Sequence, residues 1–93
     1  MKIKVGNTTF DRVEYDAEAD VLYLHVGSPD LAADFDESPE GHALRYDHGG
    51  RLVGLTIVNA KRLLDEAEPI IVTIPERVTI DPALIAPAVQ PAA

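Results

Sequence analysis

The chain has 93 residues, no cysteine, no tryptophan and a net charge of −8 from 16 acidic and 8 basic residues. This excludes disulfides and cysteine-ligated zinc or iron–sulfur centres, and leaves enough chain for one core with little surplus stability. At 46% hydrophobic residues the composition is that of a folded domain.

The N-terminal Met1-Lys2-Ile3-Lys4-Val5 carries charge without an apolar stretch, so no signal peptide is expected. No apolar run nears the ~20 residues of a membrane span. The expected compartment is the cytoplasm. Between Val13 and Leu44 stand nine acids (Glu14, Asp16, Glu18, Asp20, Asp30, Asp34, Asp36, Glu37 and Glu40) and no Lys or Arg. A phosphate backbone would be repelled there, so direct nucleic-acid binding is not expected. The stretch reads as a solvated face or as a docking surface for a basic protein.

In chain order, residues 10–15 alternate loosely and read as a strand, with Phe10, Arg12 and Glu14 on one face. Asp16-Ala17-Glu18-Ala19-Asp20 reads as a tight connection capped by Asp16. Residues 21–26, Val-Leu-Tyr-Leu-His-Val, read as a strand apolar on both faces apart from His25. Gly27-Ser28-Pro29-Asp30 ends it. Residues 31–37 are expected to hold a short edge strand with Phe35 turned inward, and Ser38-Pro39-Glu40-Gly41 is a turn signal.

The firmest expectation is a hairpin over residues 42–58, turned at Asp47-His48-Gly49-Gly50. Asp47 bonds its own turn, and Gly50 takes the left-handed position of a bulge. In this register Tyr46 faces Leu52 and Leu44 faces Gly54, with Ala43, Arg45, Val53, Leu55 and Ile57 on the other face. A tyrosine ring, Tyr46 or Tyr23, is expected over Gly54. Residues 59–67 favour a short helix with Asn59 as N-cap, ended by Pro69. Residues 70–74, bounded by Pro69 and Pro75, and residues 77–80 read as strands. Beyond Asp81 the chain is rich in Pro and Ala. Asp81-Pro82 can start one helical turn, and Pro87 and Pro91 argue against a longer helix, so this end is expected to fray or to dock on a partner.

Two segments carry a resemblance. One is Tyr15-Asp16-Ala17-Glu18-Ala19-Asp20-Val21-Leu22-Tyr23-Leu24. The other runs from Gly41 to Arg62 and contains Tyr46-Asp47, Gly50-Arg51-Leu52-Val53-Gly54, Ile57 and Asn59-Ala60. Their order and spacing resemble the bacterial and archaeal domain of unknown function family 2283, over roughly residues 10–63. The resemblance implies a small protein, and an antitoxin-like or accessory binding role, because some members look like gene-neighbour partners of small toxin-like proteins. Family members often carry acids where Arg45 and Thr56 stand here. The segment from about Glu68 to Ala93 extends past the family core.

Several constellations bear on chemistry. Asp16-x-Glu18-x-Asp20 has the carboxylate spacing that opens a calcium loop. The sixth and twelfth positions are Val21 and Gly27 rather than Gly and a bidentate acid, so a capped turn is the better reading. His25 and His42 lie on separate strands and could meet if those strands pair in the right register; His48 falls in the turn. Ser28 and Ser38 sit in Pro-containing loops without a nucleophile elbow. Glycines 49, 50 and 54 lack the Lys-Ser/Thr of a phosphate loop. No catalytic residue, metal site or cofactor is assigned.

The expected fold is mainly β, with α+β as the alternative. It is an antiparallel sheet of four or five strands with one short helix near residues 59–66. A single domain spans residues 1–80, and a Pro/Ala-rich tail spans 81–93. One short helix cannot cover a sheet, so a symmetric homodimer is expected, by sheet packing or by strand addition through the C-terminal segment. The leading functional expectation is a non-enzymatic binding or accessory protein that offers Asp34, Asp36, Glu37 and Glu40 to a basic partner. The alternatives are a structural homo-oligomeric module, and a small enzyme or a ligand- or metal-binding domain with a site at a dimer interface near His25 and His42.

Overall fold

Short runs of β-branched and aromatic residues, separated by Gly, Pro, Asp and Asn, make strands joined by tight turns. The computed structural model describes residues 1–74 and 76–89. Its strands are β1 (Ile3–Val5), β2 (Thr8–Phe10), β3 (Arg12–Asp16), β4 (Val21–His25), β5 (Asp34–Glu37), β6 (Ala43–Tyr46), β7 (Leu52–Val58), β8 (Ile70–Ile74) and β9 (Glu76–Ile80). Its α-helices are α1 (Ala60–Asp65) and α2 (Pro82–Val89). Five strands form one antiparallel sheet in the order β3-β4-β7-β6-β5, while β1-β2 and β8-β9 are separate hairpins. The mainly-β expectation holds. Among the described residues no helix is long and apolar enough to cross a membrane.

Leu22, Leu24, Leu44, Leu55 and Ile57 point from the sheet into one core. The two hairpins meet them with Ile3, Val5, Phe10, Ile70, Val72 and Ile80, and the helices add Ala60, Ile85 and Val89. Each fully buried large side chain of this set contributes about 1.5–3 kcal/mol of transfer free energy. The inner face of the sheet is thus covered by the hairpins and helices of the same chain.

Four expectations change. Phe10 ends the N-terminal hairpin instead of opening the strand at Arg12. That hairpin was legible in Val5-Gly6-Asn7-Thr8, a two-residue turn signal between alternating residues. Phe35 points outward, at 69% exposure. The proline-rich segment after Asp81 carries an eight-residue helix. Pro82 fits the first helical position, where its missing N–H costs nothing, and Asp81 Oδ1 accepts the Ala83 N–H at 2.9 Å. Ile85 and Val89 then bury against the core despite Pro87. Pro75 and residues 90–93, Pro91 among them, lie outside the described residues.

The fourth change is the cap of α1. Asn59 sits at the cap position with φ +61° and makes no side-chain cap bond. Asp20 caps the helix from the β3–β4 turn instead. Its Oδ1 accepts the Lys61 N–H at 2.7 Å, and its Oδ2 accepts the Arg62 N–H at 3.2 Å. The Tyr15 hydroxyl donates to the same carboxylate at 2.7 Å. Burial alone would raise the Asp20 pKa, but these hydrogen bonds outweigh it and the net shift is down. The same bond pushes the Tyr15 pKa up to about 12. Asp20→Ala should therefore destabilise the fold by about 2–4 kcal/mol, the loss of a helix cap and a charge-assisted hydrogen bond. Asp20→Asn should cost less, and urea denaturation of both variants measures the difference.

Candidate functional site

Turn chemistry sets the register of the central hairpin. Asp47 Oδ1 accepts the Gly49 and Arg51 N–H groups, both at 2.9 Å, and the Gly50 N–H donates to Asp47 O at 3.0 Å. Gly50 has φ +80°, where a side chain would be strained. Tyr46 pairs with Leu52 as the sequence indicates. The next pair is Arg45 with Gly54, so Val53 is an extra residue on β7. The expected Leu44–Gly54 pairing is replaced by Leu44–Leu55. A one-residue bulge exchanges the faces of everything beyond it. Leu44 joins Leu55 and Ile57 in the core, and Arg45 and Ala43 turn to the outer face with Gly54 and Thr56.

The pairings define two rows across that outer face. One runs Arg12, His25, Gly54, Arg45, Phe35, and the other runs Glu14, Tyr23, Thr56, Ala43, Glu37. Tyr23 and Phe35 on this face are 44% and 69% exposed. A hollow of about 170 Å³ lies over Gly54, lined by Arg12, Glu14, Tyr23, His25, Arg45 and Thr56 and by backbone of β4 and β7. A Cβ on Gly54 would stand 3.0 Å from Arg45 Cβ and 3.2 Å from His25 Cδ2. These side chains, not a tyrosine ring, lie over the glycine. His25 Nδ1 donates to Gly27 O at 3.3 Å. Among the described residues its buried Nε2 has no hydrogen-bond partner, which costs about 1–3 kcal/mol unless something satisfies it.

His42 does not join His25. It is buried on the core side, beside the far end of β7, where its Nδ1 accepts the Val58 N–H at 3.1 Å. His25 pairs with Gly54 on the opposite face. Burial lowers the His42 pKa, and the Glu40 carboxylate offsets part of that. The neutral ring is what the fold holds, so this stabilisation is complete above the ordinary histidine pKa of about 6.5 and is lost as pH falls through the lower folded value. His42→Asn, which keeps an acceptor for Val58 and removes the titration, should flatten the urea midpoint between about pH 7 and pH 5 relative to the parent.

The other candidates fall into structural roles. Asp16 Oδ1 accepts the Glu18 and Ala19 N–H groups at 3.1 and 3.3 Å, closing its own turn. Ser38 Oγ accepts the His42 N–H at 3.0 Å, and Ser28 Oγ accepts the Asp30 N–H at 3.3 Å. Among the described residues no group of three or more His, Asp or Glu could hold a metal ion.

The acidic surface divides. Glu40 ties its loop to β8, accepting the Thr73 N–H at 2.9 Å and the Thr73 hydroxyl at 2.8 Å. The Thr73 hydroxyl is the main cause of its lowered pKa. Asp34, Asp36 and Glu37 remain exposed on β5, an edge strand of the sheet. By strand alternation Phe35 and Glu37 share the outer face, and Asp34 and Asp36 share the other.

Fold and surface together define a small antiparallel β protein with one sheet face that, among the described residues, is covered and one that is largely exposed. The chain belongs to the family described as "Protein of unknown function (DUF2283)", whose family model matches residues 12–61, more than half of its length. No curated protein and no solved structure matches it. Arg45 and Thr56, where the resemblance leads one to expect acids, both line the hollow.

Gly54→Ala tests how tightly the hollow is built. The added methyl meets Arg45 Cβ, fixed to the neighbouring strand, so overpacking should exceed the entropic gain of losing a glycine. A net loss of about 1 kcal/mol by urea denaturation is expected.

Proposed function

We propose that this chain is a non-enzymatic binding or accessory protein that offers the edge of β5 to a basic segment of a protein partner. The observation that carries this reading is the edge itself. It has three acids in four residues, all four exposed. None of these acids makes an ion pair with a described residue. An edge strand presents backbone groups to any extended chain, though here the Glu37 N–H already donates to Asp36 Oδ1 at 2.8 Å. Acidic side chains repel a second copy of the same edge and attract a strand bearing Lys or Arg, with Phe35 supplying apolar contact. This is β-strand addition, in which main-chain bonds give affinity and alternate side chains give specificity. An antitoxin-like partnership with a small basic protein is the form that the resemblance suggests.

A second reading, a symmetric homodimer through the outer faces, is favoured by the exposed Tyr23 and Phe35 on that side.

A fluorescent peptide of alternating Lys and Val serves as the probe. It should bind with an affinity that falls as salt rises and should shift the amide resonances of β5. The combined variant Asp34→Asn, Asp36→Asn, Glu37→Gln should bind about tenfold more weakly, from three exposed charge pairs of up to ~1 kcal/mol each. Equal binding by that variant, or shifts confined to other strands, would sink the edge reading. A self-association by sedimentation that the same variant leaves intact would favour the homodimer instead.

A further inference from the structure

We propose that the hollow over Gly54 is a binding site for a small oxyanion, the carboxylate or phosphate group of a small molecule. This site is separate from the β5 edge and does not depend on it.

Four observations converge. First, Arg12 and Arg45 flank the hollow, and neither makes an ion pair with a described residue, in a chain whose net charge is −8. Unpaired guanidiniums in an acidic protein are attractive to anions from solution, and their planar donor forks match carboxylate and phosphate oxygens. Second, the register places these cations on either side of His25 and Gly54 in a single cross-strand row. The space exists because the third position of that row has no Cβ, and a methyl there would meet Arg45 at 3.0 Å and His25 at 3.2 Å. Third, the His25 ring is anchored through Nδ1 to Gly27 O, while Nε2 has no partner among the described residues. A hydroxyl of the ligand would donate to it. Fourth, Thr56 and Tyr23 add hydroxyls to the same lining.

Size and charge narrow the ligand. About 170 Å³ is below the ~300–1,000 Å³ of pockets that take drug-sized molecules, so the ligand is small. Glu14 is the acid in the lining, and it penalises a second negative charge on the β3 side. One anionic group, placed between Arg45 and Arg12, satisfies these guanidinium donors. The Tyr23 ring and the arginine stems offer apolar contact to whatever body carries that group.

The test uses the full chain with sodium acetate and sodium phosphate as separate probes, at an ionic strength held constant with sodium chloride. Amide resonances are followed by NMR, and the melting temperature in parallel. Saturable shifts centred on Gly54, His25 and Thr56, with a rise in melting temperature by mass action, are expected from at least one probe. The acetate arm responding alone identifies a carboxylate site, and the phosphate arm alone a phosphate site. Arg12→Gln and Arg45→Gln replace exposed side chains, so both variants should fold, and each should weaken binding about tenfold or more. The β5 variant Asp34→Asn, Asp36→Asn, Glu37→Gln should bind the anion at least as well as the parent. The proposal is overturned if neither probe saturates, if chloride alone reproduces the shifts, or if both arginine variants bind like the parent.

Discussion

The Asp20 carboxylate is where three parts of this chain are held to one another. It lies in the turn between β3 and β4, accepts the Tyr15 hydroxyl, and caps α1 through the N–H groups of Lys61 and Arg62. The Ala60 N–H donates to the Asp20 carbonyl as well, at 3.2 Å. A six-residue helix has little stability of its own, so α1 exists because this anion satisfies its open N-terminal donors and because α2 packs against it. Since α2 also contacts β3, the connections close into a ring. Asp20 holds φ +54° at its centre, a conformation that Asp tolerates better than most residues. The far end of α1 closes in a similar way. Ala67 takes φ +53° so that the Glu68 N–H can reach Leu63 O at 3.1 Å.

The second constraint is one extra residue. The bulge at Val53 puts Leu44 in the core and Arg45 on the surface beside Gly54. With the even register, Arg45 would share a face with Leu55 and Ile57, and a charge would enter the core at a cost no neighbour there could offset. The hydrophobic pattern of β6 and the turn at Asp47 are compatible only because the bulge absorbs the mismatch. The hollow on the outer face is a by-product of that repair: a glycine stands where the strands bring two long side chains together.

Charge is sorted across the same sheet. The acids of the long cation-free stretch do not form one face. Asp16 and Asp20 close turns and cap a helix, Glu40 fixes a loop to β8, and Asp34, Asp36 and Glu37 line a free edge. Arg12 and Arg45 stand on the outer face, in rows that also carry Glu14 and Glu37. The net charge sets the long-range field.

The sequence by itself determined strands β3 to β9, the Asp47–Gly50 turn, the helix near residues 59–66 and the family, because these rest on local signals. Alternation, β-branching and turn residues act over a few positions, and each is readable without knowing what lies across the sheet. It also carried a sign of the N-terminal hairpin in Gly6-Asn7. Only the tertiary structure decided which carboxylate caps α1, because the donors and the acceptor are about forty positions apart. Composition alone suggests that the proline-containing end frays, yet Ile85 and Val89 gain more from burial than Pro87 costs. The candidate site was the least legible part. Arg12, His25, Gly54 and Arg45 come from four strands, and their meeting depends on a bulge that no local signal announced. Pairing across strands, rather than propensity within them, sets which side chains share a face.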